Sequence, residues 1–267
     1  MLKINQVAIG SDNASNGFVT CDSQNAPTRA AKKVFSKFSK FEFLDYAPAE
    51  IAVDSITLPS DMSRIEKIAF QHLLGSLQPE IALEVGTGDG GSLQAIMQYA
   101  DAAISIDINN VTQTNLQKLF GFKDVEFIVG DSSKVLPEVV QLINENQLNV
   151  NFVYIDGVQS TEGAQSDFEA ALKIVPKQPT CIVMHNSFIP QVRRAMLNVR
   201  WEESAHVHFV DIDYVQGAYV PMEYGACKLV GGLSVVLLKP ELRTEALEIY
   251  RSYDHAFNIL RPFADNR

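Results

Sequence analysis

Between Pro79 and Leu238 the chain alternates short apolar runs with amphipathic stretches, and this alternation restricts the fold more than any other feature. The runs IALEVG (81–86), AISIDI (103–108), VEFIVG (125–130), FVYIDG (152–157), CIVMH (181–185), HVHFVDI (206–212) and GLSVVLL (232–238) read as strands. Several are apolar at nearly every position, as strands buried on both faces are, and parallel strands of that kind need crossover helices between them. Helical periodicity fills the gaps from about Ser92, near Leu116, from Val135 to Ile143, from Phe168 to Ile174 and around Val192 to Leu197. The expected fold is α/β, a doubly wound and mostly parallel sheet of about seven strands with helices on both faces. A chain of 267 residues with 46% hydrophobic content can bury one such core without a large second domain.

The flanks read differently. Residues 1 to about 27 are rich in Asn, Ser, Asp and Gly and suggest an irregular lead-in. From Thr28 to Phe43, Val34, Phe38 and Phe41 recur at helical spacing among Lys32, Lys33, Lys37 and Lys40, an amphipathic helix whose lysines are solvated or contact an acidic ligand as a lid. Pro48 and Pro59 bracket an extended connection, so residues 1–59 are taken as a partly helical N-terminal extension and 60–267 as the main domain. Ser60 to Ser63 offer caps for a helix through Leu77, with Ile65, Ile68, Ala69, Leu73 and Leu77 as its buried stripe. A last amphipathic helix is expected from Leu242 to about Leu260.

A formal net charge of -10 disfavours broad contact with a polyphosphate backbone and points to a small-molecule partner rather than nucleic acid. No apolar run is long enough to cross a bilayer and no secretory leader is evident, so a soluble, cytoplasmic protein is expected. Cys21, Cys181 and Cys227 are far apart, without the paired spacing of a zinc site, and read as reduced packing residues. Oligomeric state stays open, with a homo-oligomer as the leaning.

The turn Glu84-Val85-Gly86-Thr87-Gly88-Asp89-Gly90-Gly91 joins a buried strand to a helix, where glycine allows positive φ and close approach of a ligand. Gly86, Gly88 and Gly91 also satisfy G-x-G-x-x-G, so a nicotinamide dinucleotide is one reading. Glu84, just before the turn, would repel a pyrophosphate and suits a cationic ligand such as a sulfonium cofactor. Asp107 ends the second strand, where a carboxylate can take both ribose hydroxyls. Gly130-Asp131-Ser132 ends the third, where Asp131 can accept from an adenine amino group and Ser132 adds a second polar contact. Taken singly, each of these acids is as well read as a helix cap.

Together, EVGTGDGGS (84–92), the Asp107 strand end, GDS (130–132) and YIDG (154–157) resemble the class I S-adenosylmethionine-dependent methyltransferases. The stretch YIDGVQSTEGAQSDFE (154–169) with MHNSF (184–188) is similar to the subgroup that O-methylates antibiotics, sugars and other small molecules. The likeness runs over roughly residues 60 to 240. It implies a Rossmann-like sheet with an antiparallel last strand and S-adenosylmethionine held by Glu84, Gly86, Thr87, Gly88, Gly90, Ser92, Asp107, Ile108, Gly130, Asp131, Ser132 and Asp156. In that subgroup the fourth strand ends D-G-D-H and the fifth H-D-S, whereas this chain has Val158, Gln159 and Asn186 at the departing positions. A magnesium ion, if used, would have Asp156, His185 and Asn186 as ligands, only one of them a carboxylate. The competing readings make His185 a general base oriented by Asp156, or a satisfied strand-end histidine.

Other polar groups are ambiguous. His206 and His208 share one strand face, as do Asp211 and Asp213, and an exposed face is preferred for them. Arg193 and Arg194 read as helix-surface arginines or as a hold for an acidic substrate. Gly231-Gly232 reads as a tight bend opening the last strand. The expected activity is methyl transfer to oxygen of a small, biosynthetic acceptor. The alternatives are a metal-independent N-methyltransferase, a catalytically inactive module that keeps the cofactor pocket, and, more distantly, a nicotinamide dehydrogenase.

Overall fold

The alternation is realised in a computed structural model that describes residues 55–121, 123–221 and 227–260. The lead-in, the Thr28–Phe43 helix and Cys21 lie outside the described residues.

Ser63 caps α1 (Arg64–Leu77) through a capping box with Glu66, then β1 (Ile81–Val85) leads through the glycine turn into α2 (Gly91–Ile96). The pattern continues with β2 (Ala102–Asp107), α3 (Asn110–Phe120), β3 (Val125–Val129), α4 (Ser132–Glu145), β4 (Val150–Ile155), α5 (Thr161–Ala171), β5 (Thr180–His185) and α6 (Pro190–Asn198). Asn109, Asp131 and Ser160 each cap the helix that follows a strand, accepting main-chain N–H groups that the first turn leaves unpaired. The chain then forms β6 (Val207–Val215), a hairpin of β7 (Ala218–Pro221) and β8 (Cys227–Val230), β9 (Leu233–Leu238), β10 (Ile249–Tyr250) and α7 (Asp254–Leu260).

Eight strands form the main sheet in the order β10-β6-β9-β5-β4-β1-β2-β3. Strands β1 to β5 pair in parallel, and β9 runs antiparallel between β5 and β6. The seven expected strands are all present, with the antiparallel one inserted inside the sheet. Every residue of β1, β4, β5 and β9 is buried, which explains their continuous apolar reading. Helices α1, α2 and α3 cover one face through Phe70, Leu73, Leu93, Ile96 and Leu116; α4, α5 and α6 cover the other through Leu136, Val140, Phe168, Val192 and Met196. The inserted antiparallel strand departs from the 3-2-1-4-5-6 strand order of dinucleotide-binding folds and weighs against the nicotinamide reading.

Four expectations are corrected. The helix expected from Leu242 is helical only at Asp254–Leu260; before it the chain runs extended and adds β10 beside β6. There Tyr250 stacks on Phe209, and the Arg243 guanidinium donates to the carbonyls of Glu202, Ser204 and Val207, tertiary contacts that override local periodicity. In α1, Ile65 and Ile68 face solvent while Glu66, Phe70, Leu73, Leu74 and Leu77 are buried, because the inward stripe includes a carboxylate that a count of apolar letters skips. Asp211 and Asp213 are buried rather than exposed, since β10 and α7 cover that end of β6. Arg193 is neither a surface group nor a substrate hold: it is buried against Asp213 and Asp254, with the Phe257 ring 4.8 Å from its guanidinium carbon. His206 and His208 bond the carbonyls of Lys239 and Glu241.

Candidate active site

The sheet reverses its winding at β1, since β2 and β3 lie to one side of it and β4 to the other. Strand ends diverge at such a point and open a crevice at their carboxyl ends. Here it is a cleft of about 420 Å³. Of the sequence-predicted cofactor residues, Gly86, Thr87, Gly88, Ser92, Asp107, Ile108, Gly130, Asp131, Ser132 and Asp156 line it, and Glu84 and Gly90 do not.

The turn is shaped by close approach. Gly86 sits at φ +86°, donates to the Ile106 carbonyl, and a Cβ placed there would lie 2.1 Å from the Asp156 carbonyl oxygen. At Gly91 a Cβ would meet the Pro59 carbonyl at 2.3 Å. The approach of residues 57–60 is tied down by the Thr57 and Leu58 amides, which donate to Gln94. Asp107 accepts from the Gly88 amide at 2.9 Å and the Asn109 amide at 2.7 Å, so it braces the turn while lining the cleft. Asp131 caps α4, and the Ser133 hydroxyl and amide hold its carboxyl below the usual range.

Glu84 has a different place from that read in the sequence. It is fully buried beneath the turn, accepting from Ser92 at 2.6 Å and Ser105 at 3.1 Å, the latter its register neighbour on β2. Burial pushes its carboxyl up to about 7, although the hydroxyls of Ser92, Ser105 and Thr87 favour the anion. The folded state therefore holds a proton that the unfolded chain releases near pH 4.5, and stability contributed by the protonated form is lost as pH rises from there to about 7. Glu84→Gln, which keeps the shape without the charge, is expected to match the wild type at pH 5 and to melt about 5 °C higher at pH 8. Parallel melting curves across that range check this; equal curves at pH 8 would show the carboxylate to be ionised at no cost.

At the end of β4, Asp156 Oδ2 accepts from His185 Nδ1 at 2.9 Å and from the Tyr154 hydroxyl at 3.2 Å, while Oδ1 accepts from Asn186 Nδ2 at 3.0 Å. The other ring nitrogen, His185 Nε2, lies 3.5 Å from Glu66 Oε1. Burial opposes charge on this ring, but Asp156 and Glu66 outweigh it and push it up to about 10. Burial would likewise raise Glu66, but His185 and Ser63 hold it down to about 2. A ring hydrogen-bonded to Asp156 through Nδ1 and held toward its charged form by two carboxylates is poorly suited to take a proton at neutral pH.

Nor do these residues fit a divalent ion. Asp156 uses both oxygens on internal donors, Asn186 turns its amide hydrogens to Asp156 and its oxygen to the Gly231 amide, and His185 sets its ring nitrogens against Asp156 at 2.9 Å and Glu66 at 3.5 Å. Among the described residues there is no group of three His, Cys, Asp or Glu side chains arranged to hold a metal.

Glu66 was not among the residues singled out by sequence. The signal was present as the S-x-x-E of Ser63 and Glu66, which reads as a capping box, and the structure contains that box. Its second role depends on β5 and the Gly231-Gly232 bend arriving beside α1. There the Gly232 amide donates to Glu66, and Gly231 and Gly232 sit at φ +69° and +89°. Asp167 was also missed: it is buried beside Gly157, accepts from Ser132 at 3.0 Å, and burial pushes it up to about 6 against that hydroxyl.

Residues 83–187 match the model of a family described as a methyltransferase domain. Among solved structures, the O-methyltransferase TomG from Streptomyces achromogenes, involved in tomaymycin synthesis and in complex with SAM, is 15% identical. That match covers 74% of this chain and 99% of TomG with a TM-score of 0.51, a likeness of fold. An O-methyltransferase from Bacillus cereus in complex with SAH is 17% identical over 79% of this chain and 97% of its own, with a TM-score of 0.49. A putative RNA methyltransferase from Pyrococcus horikoshii is 16% identical over 71% and 96%, with a TM-score of 0.44. No curated protein sequence matches the chain.

Proposed function

We propose that the methyltransferase domain carried by residues 83–187 binds S-adenosylmethionine in the cleft and moves its methyl group to an oxygen of a small, biosynthetic acceptor. The observation that carries this reading is the convergence of Asp107, Asp131 and Asp156, from the ends of β2, β3 and β4, on one cleft beside the glycine turn. The cofactor fits the donors present: the turn admits close approach at Gly86 and Gly88, and carboxylates suit the ribose hydroxyls, the adenine amino group and the cationic aminoacyl end. When bound, S-adenosylmethionine supplies a methyl group on a sulfonium that is already a good leaving group.

The chain's own work is then positioning and proton management. Asp156 faces the cleft, and a carboxylate with about four lone-pair sites retains acceptor capacity beyond its three internal hydrogen bonds. We assign it the acceptor's proton, with His185 buried behind it as the group that holds it in place. The cleft lining includes Asp61, Asp89, Asp107, Asp131 and Asp156 but no Lys, Arg or His among the described residues, which disfavours phosphorylated or nucleic-acid acceptors. Transfer to nitrogen is a second reading, favoured by the spent donors around Asp156, since an amine acceptor needs no metal to lower its pKa.

No helix among the described residues is long and apolar enough to cross a membrane. Calorimetry with S-adenosylmethionine, S-adenosylhomocysteine and nicotinamide dinucleotides tests the cofactor, binding by the adenosyl ligands alone being the expected result. Adenosyl binding without turnover on a panel of hydroxyl and amine acceptors would instead indicate an inactive module. Asp107→Ala is expected to weaken S-adenosylhomocysteine binding by about 1.5–3 kcal/mol, roughly ten- to a hundredfold. An unchanged affinity in the same titration would remove Asp107 from the site.

A further inference from the structure

We propose that Glu66 and Asn186 are positioning residues that put internal partners in place of a divalent ion, so that Asp156 and His185 serve methyl transfer without metal. The inference deepens the reading above and rests on it. Asn186 stands at φ +64°, immediately after β5, and this backbone turn lets its side-chain amide donate to Asp156 Oδ1 while its oxygen accepts from the Gly231 amide at 3.3 Å. An aspartate at this position would set a second carboxylate against Asp156, the arrangement that calls for a cation. The amide instead closes that side of Asp156 with a hydrogen bond.

Glu66 closes the far side of His185. It reaches from the first turn of α1 and is 2% exposed; its Oε2 accepts from the Ser63 amide at 2.6 Å, and Oε1 accepts from the Gly232 amide and lies 3.5 Å from His185 Nε2. His185, 3% exposed, therefore spans two carboxylates from different parts of the fold. The polar atoms of Asp156, His185, Asn186 and Glu66 turn to each other, to the Tyr154 hydroxyl and to the main-chain amides of Ser63, Gly231 and Gly232, with His185 Nε2 facing Glu66 at 3.5 Å. None of them offers the free oxygen set a hard cation requires.

The test is Mn²⁺ binding, read by electron paramagnetic resonance and calorimetry on the full chain, with and without saturating S-adenosylhomocysteine. Wild type is expected to bind no Mn²⁺ below about 1 mM in either state. Asn186→Asp is expected to gain Mn²⁺ affinity by about tenfold or more through its second carboxylate, and adding Glu66→Gln to it is expected to raise that affinity again by unlocking His185. Gln at 66 keeps an oxygen for one of the Ser63 and Gly232 amides and sets its NH2 toward the other, so S-adenosylhomocysteine affinity on each variant reports whether the site is still formed. Wild-type binding of Mn²⁺ below 1 mM that Asp156→Asn abolishes would overturn the proposal. No added gain from Glu66→Gln would return Glu66 to a structural role. Failure of S-adenosylhomocysteine to bind wild type would overturn the functional reading instead, leaving the Mn²⁺ result without ligand to judge the donor set separately.

Discussion

Gly86→Ala is expected to abolish measurable S-adenosylhomocysteine binding, a loss of at least about a hundredfold, and to lower the melting temperature of the ligand-free protein. Two costs coincide at this position. The residue sits at φ +86°, where an L side chain is strained, and its Cβ would lie 2.1 Å from the Asp156 carbonyl oxygen, 2.5 Å from its carbonyl carbon and 2.8 Å from the Gly157 amide nitrogen. All three are backbone atoms, so relief requires β1 and β4 to part where the Asp156 amide donates to the Val85 carbonyl at 2.8 Å. Gly88→Ala is the control. Its φ of +51° carries a strain of about 1–2 kcal/mol, but a Cβ there meets nothing within 4 Å. It should fold with a ligand-free melting temperature only about 2–8 °C lower and lose affinity only through the cleft. Equal melting temperatures for the two variants would show that the crevice between β1 and β4 yields more easily than its geometry indicates.

The second large effect lies away from the cleft. Arg193→Met is expected to destabilise the fold by about 3–5 kcal/mol, lowering the melting temperature by about 10 °C. Arg193 is 1% exposed and donates to Asp213 at 2.8 Å and 3.3 Å and also to Asp254. Removing it strands the Asp213 carboxylate in the interior with the Tyr253 amide as its remaining hydrogen-bond donor among the described residues, whereas Asp254 is open enough to be rehydrated. If the uncompensated charge is the cause, Arg193→Met with Asp213→Leu should recover much of the loss, because apolar replacement of both partners removes the buried ion itself. A double variant no more stable than the single one would place the cost in lost packing against Phe188 and Phe257 instead.

Much of the cleft was legible because its signals are local. A strand that runs into Gly86, Gly88, Gly90 and Gly91 declares a tight strand-to-helix turn, and acids at successive strand ends must converge once the strands are parallel neighbours. The structure brings Asp107, Asp131 and Asp156 to one cleft by that logic. Glu84 shows the limit of the same reasoning. Its position at the strand end was evident, but its direction was not: alternation along β1 sends it under the turn to Ser92 and Ser105 rather than into the cleft. The inward face of α1 was misassigned for a related reason, since Glu66 occupies a core position that pattern reading reserves for apolar letters.

The α/β class, the approximate strand count, the glycine turn and the strand-end acids follow from neighbouring residues alone, because period and turn chemistry are local. What the buried charges meet is set by long-range packing. Glu66 reaches His185 because α1 packs against β4 and β6 and brings its first turn to the end of β5 and the Gly232 amide, and Arg193 reaches Asp213 and Asp254 because β6 and α7 close over α6. The reason is physical: a buried charge must find a compensating partner, and sheet order, which no local pattern encodes, determines which distant group stands within reach.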